Sequence, residues 1–166
     1  PVVSDPDSDH LVKAFQQLDF LVVQDIFLTE TARLADVVLP ATTFAEKEGT
    51  FSNTERRVAR VRQAIPPIGD SRPDWQIFTE LSRRLGYPMS YADPEAIFEE
   101  IRQVTPSYAG ITYARLETEG GLQWPCPTTD HPGTVYLHKD RFARGMGQFF
   151  AIDHRDPAEM PDADYP

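Results

Sequence analysis

Among the 166 residues, the side chains able to do chemistry fall into a few groups. Gln24 and Asp25 stand directly after the apolar run Phe20-Leu21-Val22-Val23. Polar residues at the carboxyl end of a buried parallel strand are where an open α/β sheet meets its ligand. Glu46 and Glu48 have the types of an acid–base pair, but they bracket Lys47 on a loop. They read as a solvated charge run rather than a proton-transfer device. Arg56, Arg57, Arg60 and Arg62 put four guanidinium groups within seven residues, and a solvated strand face is the preferred reading over an anion-binding surface. Asp74 opens a helical pattern and reads as its cap. The single cysteine, Cys126, sits between Pro125 and Pro127 and reads as a small apolar filler. His131, His138 and His154 are isolated, as surface or packing histidines are. No residue is assigned to catalysis or to a metal.

These groups need elements to hold them. The run 20–23 predicts a strand covered on both faces of a parallel sheet. A second run, Val37-Val38-Leu39, is stopped by Pro40, which has no N–H to continue a ladder. About a dozen residues lie between, near the minimum for joining parallel neighbours, and Thr29 is placed to cap a short helix over 31–35. Gln24, Asp25 and the backbone after Pro40 would then share one sheet edge. Upstream, Leu11, Val12, Phe15 and Leu18 predict a helix from about Ser8 to Leu18 with one buried stripe. Phe51, Val58 and Val61 around the Gly49 turn suggest two short extended segments.

Trp75, Phe78, Leu81 and Leu85 predict the buried face of a helix. Ser71 with Asp74 as a capping box, or Asp74 alone, starts it; Gly86 and Pro88 end it. Another helix starts at Asp93-Pro94 and buries Ile97, Phe98, Ile101 and Val104. From Pro106 onward lie seven of the fifteen prolines and six of the nine glycines, with many aromatics. That composition predicts a long ordered loop wrapped over a larger body.

The order α-β-α-β therefore predicts an α/β chain carrying part of a doubly wound, mostly parallel sheet, Rossmann-like, with a long irregular C-terminal wrapping segment. Residues 1–104 form the partial α/β domain and 105–166 the irregular extension. Two strands fall short of the five or six such a sheet contains. With Pro1 in place of an initiator Met, the chain is expected to be a piece of something longer. A net charge of −10 argues against nucleic acid as a partner. No run approaches the length that crosses a bilayer, so no membrane span and a cytoplasmic setting are expected. One cysteine makes neither a disulfide nor a cluster site.

The run FLVVQDIFLTETARLADVVLPATTFAEKEGTFSNTERRVARV resembles the molybdopterin-dependent oxidoreductases. RPDWQIFTELSRRLGYP and TPSYAGITYARLETEGGLQWPCP narrow the resemblance to the catalytic (alpha) subunits of molybdenum- or tungsten-dependent formate dehydrogenases. GMGQFFAIDHRDPAEMPDADYP is similar to the segment that there leads into the C-terminal cofactor-binding domain. The resemblance implies oxidation of formate to carbon dioxide at a metal held by two pyranopterin guanine dinucleotides (bis-MGD), with a [4Fe–4S] centre elsewhere in the subunit. It implies as partners the remainder of that subunit and iron–sulfur or NAD- or ferredoxin-linked electron-transfer subunits. The GGLQWPC and PDWQI runs speak against nitrate reductase and the large subunit of respiratory complex I. A non-catalytic scaffold is the alternative from another class.

None of the metal-ligating or catalytic residues of that family can be matched here, and Cys126 belongs to the WPC motif. The resemblance places Ser4, Gln24, Ala41 and Asp74 against one guanine dinucleotide, giving Asp74 a second role beside capping. Ala41 stands where some members carry a hydroxyl residue, so its contact would run through backbone. A carboxylate such as Asp74 can accept from the guanine N1–H and 2-amino groups.

Overall fold

Two parallel strands, β1 (Val22–Asp25) and β2 (Val37–Pro40), pair in the register Val22↔Val37 through Asp25↔Pro40. The computed structural model describes residues 1–142, 144–157 and 160–163. The strand begins two residues later than the apolar run predicts, because the pairing with β2 sets its limits. The short crossover is a 3₁₀ turn over Ala32–Leu34. The Thr29 hydroxyl accepts from the Ala32 amide at 3.2 Å, the capping role its position predicts.

Expected cover on both faces is not found: Phe20 is 62% exposed, and Val22, Val37 and Val38 are exposed as well. Among the described residues the parallel sheet has two strands. The described residues form a mixed α/β arrangement of a parallel pair and an antiparallel sheet. Helix α1 (Ser8–Phe15) precedes the pair, capped by Asp7, whose Oδ1 accepts from the His10 amide at 3.2 Å. It stops before Leu18, which is exposed.

The sheet edge gains one more residue. Arg72 forms a parallel bridge with Ala41: its amide donates to the Pro40 carbonyl at 3.1 Å, and the Thr42 amide donates to its carbonyl at 3.2 Å. Helix α2 (Asp74–Arg84) starts two residues later. It ends as the sequence predicts, with Gly86 at φ 86° and Gly86 and Tyr87 amides returning to the Arg83 and Ser82 carbonyls. Its buried side differs from the predicted one. Thr79 is buried, whereas Phe78, Leu81 and Leu85 are exposed. Spacing gives a helix its stripes, and the neighbours decide which stripe is covered.

A separate antiparallel sheet holds the predicted hairpin, β3 (Gly49–Ser52) and β4 (Arg57–Val61), with β5 (Leu122–Gln123) on the other side of β4. Helix α3 (Pro94–Val104) starts as predicted, its Asp93 cap accepting from the Ala96 amide at 2.8 Å. Helix α4 (Tyr113–Glu119) is capped by Thr112 and stopped by Gly120 at φ 71°. The sequence does not predict α4 or β5, and they overturn the purely irregular reading of the segment after Pro106.

That segment supplies most of the core. Val58 and Phe98 pack with Ile111, Tyr113, Leu116, Leu122 and Cys126, flanked by Tyr108 and Trp124. Phe98 meets Tyr113 at 5.6 Å and Tyr108 at 6.3 Å between ring centroids. Cys126 is fully buried, as a filler should be. Its carbonyl accepts from the Gly110 amide at 2.7 Å. A Cβ at Gly110 would lie 2.0 Å from the Thr128 carbonyl oxygen, so the close approach requires glycine. Arg115 braces the same loop, donating to the carbonyls of Gly110 at 2.7 Å and His131 at 2.9 Å.

The arginines of β4 are neither a bare solvated face nor an open anion surface. Arg60 and Arg62 both pair with Glu117 on α4, Arg57 pairs with Glu55, and the Arg60 guanidinium lies 3.9 Å from the Tyr113 ring centre. Arg56 stacks on Trp124 at 5.7 Å. They tie hairpin to helix.

These elements belong to one compact unit, residues 1–134, and residues 135–166 form a second. Within the second, Phe142 and Gly145 exchange two backbone hydrogen bonds. His154 and Asp156 approach to 3.1 Å, and Tyr136, Met146, Phe149 and Phe150 are exposed. No helix among the described residues is long and apolar enough to cross a membrane.

Candidate functional site

At the carboxyl end of β1, the Gln24 side-chain amide donates to Asp74 Oδ1 at 2.6 Å. The Lys47 ammonium pairs with the other oxygen, Asp74 Oδ2. Three segments thus converge on one carboxylate: a strand end, the loop after β2 and the first residue of a helix. The Arg72 bridge makes this happen, because it pins the approach to α2 against β2 and leaves Asp74 one step beyond the sheet edge.

The capping roles predicted for Asp74 are not what its side chain does. Pro73 occupies the cap position, without a side-chain hydrogen bond. Asp74 instead takes the first helical position, where the aligned amides favour negative charge. Partial burial is the largest influence and pushes its carboxyl up. The hydrogen bonds from Lys47 and Gln24, with the Lys47 charge, outweigh that and hold it below its ordinary value of 3.8. Asp74 is therefore ionised at neutral pH.

Of the other predicted residues, Ala41 lies against the same edge. Its amide donates to the Asp25 carbonyl at 3.1 Å, and it bridges Arg72. Asp25 turns away: its Oδ1 accepts from the amides of Ile26 and Phe27 in its own loop. Ser4 is exposed in the lead-in turn, with its hydroxyl 3.5 Å from the Pro1 carbonyl, and no described contact joins it to Gln24, Ala41 or Asp74.

Three residues at or near this edge escape the sequence reading. Lys47 lies inside the EKE run and was expected to be solvated. Thr42 is buried, and its hydroxyl is one of two buried side-chain atoms without a hydrogen-bond partner among the described residues. Glu46 is only 3% exposed, which corrects the solvated reading for that residue, whereas Glu48 is exposed as expected. Thr43 and Glu46 form a capping box, and Glu46 also accepts from the Ile68 amide at 2.8 Å. A Thr-x-x-Glu spacing was the available signal.

Glu46 yields a pH prediction. The Thr43 amide bond, the largest influence, outweighs desolvation and with the Ile68 bond holds this carboxyl below its ordinary value of 4.5. A group whose folded value is depressed contributes stability fully above the unfolded value and loses it as pH falls through the folded one. The Glu46→Gln variant is expected to melt below wild type at neutral pH. The gap should narrow once the pH drops beneath 4.5. Melting curves across that range would show a constant gap if Glu46 were not the titrating anchor.

Beside Asp74 opens a cleft of about 210 Å³, lined by Lys47, Phe51, Trp75, Ile97 and Tyr113. On the other side of Lys47 lies a second of about 340 Å³, lined by residues including Gln63, Pro73 and Gln76. The donor set is that of a polar recognition edge. A carboxylate offers about four lone-pair positions, of which Gln24 and Lys47 take two. A hydrogen bond from the Asp74 amide itself adds a third.

Comparison with known proteins gives the family. The family model described as Molybdopterin oxidoreductase matches residues 1–84, just over half of the chain. The chain belongs to the molybdopterin oxidoreductase family. It is 56% identical, over its whole length, to the F420-dependent formate dehydrogenase subunit alpha of Methanocaldococcus jannaschii. It is 50% identical, again over its whole length, to the F420-dependent formate dehydrogenase 2 subunit alpha of Methanococcus maripaludis. It spans 25% of the length of each. Among solved structures, the acetylene hydratase of Pelobacter acetylenicus shares the fold, with a TM-score of 0.54 and 22% identity. That likeness covers 71% of this chain and 16% of the hydratase. Membership in the molybdopterin oxidoreductases implies a molybdopterin cofactor with molybdenum or tungsten, and the donors around Asp74 fit the polar edge of a nucleotide.

Proposed function

We propose that the chain is a portion of a formate dehydrogenase catalytic subunit, and that it holds the guanine dinucleotide end of one of two molybdopterins. Identity of 56% along the entire chain to a formate dehydrogenase alpha subunit supports the activity. The meeting of Gln24 with Asp74 supports the site. Asp74 accepts from guanine N1–H and the 2-amino group. Gln24 offers its carbonyl, Ala41 offers backbone, and the Thr42 hydroxyl finds its partner there. Ser4 completes the set on the resemblance alone. When bound, the pterin-held molybdenum or tungsten supplies the two-electron redox chemistry on formate. The residues of this chain position the nucleotide and pack the subunit rather than form the catalytic centre.

In this reading residues 1–104 carry the dinucleotide contacts, and residues 105–166 lead toward the C-terminal cofactor-binding domain. Partners are the rest of the catalytic subunit, with its [4Fe–4S] centre, and iron–sulfur, NAD- or ferredoxin-linked electron-transfer subunits in the cytoplasm. The F420 in the names of the two archaeal relatives adds a further acceptor class. Metal analysis of the purified full-length protein, with a formate-dependent dye-reduction assay, tests the activity. Molybdenum or tungsten with formate turnover is expected. Their absence, or turnover of nitrate in place of formate, overturns it.

A further inference from the structure

We propose that Lys47 is a positioning residue for the nucleotide site: its ammonium, with the Gln24 amide on the other oxygen, holds the Asp74 carboxylate in a single orientation. The inference rests on the reading of Asp74 given above. A carboxylate at the first turn of a helix has competing uses, because the free amides of that turn donate to it as readily as a ligand does. Gln24 alone holds one oxygen and leaves the group free to pivot about that bond. Lys47, on the loop after β2, takes the other oxygen. Two anchors on two oxygens fix the plane of the carboxylate, and a planar pair of N–H donors binds best to a carboxylate held in its own plane.

Stability alone does not account for the pair. The Lys47 and Asp74 side chains are 23% and 41% exposed, and ion pairs of that kind contribute little to folding. The position serves the carboxylate instead. The titratable and charged groups lining the same cleft are Lys47 and Glu48 from the loop and Tyr113 from α4. Asp25, beside Gln24 on β1, is turned to its own loop. Lys47 is thus the only cation among the described lining residues of the cleft. Without it the carboxylate loses a hydrogen bond and a neighbouring positive charge that favour its ionised form, and it takes up a proton at higher pH.

The test uses full-length protein purified with its cofactor, comparing wild type with Lys47→Met, Lys47→Arg and Asp74→Asn. Guanine nucleotide released per subunit on denaturation is measured after incubation across a pH series, together with the melting midpoint. Lys47→Met should retain about tenfold less nucleotide, the loss of one charge-assisted restraint on a ligand group. Its acid limb of retention should move to higher pH, Lys47→Arg should restore most of both, and the melting midpoint should stay near wild type. Wild-type retention and pH profile in Lys47→Met, with nucleotide lost from Asp74→Asn, overturns the proposal and leaves the site standing. A uniform loss at every pH that Lys47→Arg does not rescue also overturns it, since Lys47 would then touch the nucleotide itself. Undiminished nucleotide in Asp74→Asn would show instead that the site reading is at fault.

Discussion

An Asp74→Ala variant of the full-length protein is expected to lose its guanine dinucleotide, with affinity reduced about a hundredfold. The figure follows from two hydrogen bonds to a charged acceptor, each contributing about 1.5 kcal/mol or more, at 1.4 kcal/mol per factor of ten. The substitution also strands Lys47 and the Gln24 amide, which both spend a donor on this carboxylate. Those losses fall on the binding edge rather than on the core, because the fold draws its cohesion from the cluster around Ile111 and Phe98. Nucleotide per subunit should therefore collapse while the melting midpoint changes little. Equilibrium dialysis of released nucleotide, or its quantitation after denaturation, reads the effect directly. Full occupancy in the variant would remove Asp74 from the site.

The second large effect is expected at Phe98. This ring is 4% exposed and lies between Tyr108 and Tyr113. Truncation to alanine removes its buried surface and leaves a cavity that a three-ring cluster closes poorly. Such changes cost about 3–5 kcal/mol. In a long subunit the melting curve averages over several units, so local hydrogen exchange is the better measurement. Protection of the amides of β4 and α4 should fall by two to three powers of ten, at about 1.4 kcal/mol each. Protection in β1 and β2 should fall much less, since Phe98 does not belong to that pair. An even loss across both sheets would show that the two are one cooperative body.

How much of this was legible in the sequence depends on which residues are asked about. Helices α2 and α3 declared themselves through Gly86, Pro88 and the Asp93-Pro94 start, because local chemistry at their ends is self-sufficient. The parallel pair was legible from two apolar runs and a proline. Its exposed valines were not, because cover is a property of what else packs there. Phe78, Leu81 and Leu85 make the same point on α2: a period of 3.6 names a stripe, and the tertiary neighbours choose among stripes. Helix α4 was hidden because only Tyr113 and Leu116 are buried along it, amid a run dense in proline and glycine. Thr112 and Gly120 were the marks that would have found it.

The candidate site was legible in Gln24 and Asp74, and that through resemblance more than pattern. Lys47 and Glu46 were read as solvated because charge runs usually are. Their roles arise from partners distant in sequence, Asp74 and Ile68, which no local window contains. Thr42 carries no local mark of its burial, which comes from the bridge between Ala41 and Arg72 beside it.

The clamp at Arg72 bears on how freely this chain can change length. Ile68 is tethered to Glu46, and Arg72 to the end of β2. The residues between them, Gly69 to Ser71, form a surface bend in which a side chain on Gly69 would touch nothing. Extra residues spliced into that bend would bulge into solvent at a small entropic cost. Asp74 would keep its place, since neither tether shifts. Related chains are thus free to diverge in size at this bend while the distance from Gln24 to the start of α2 stays fixed.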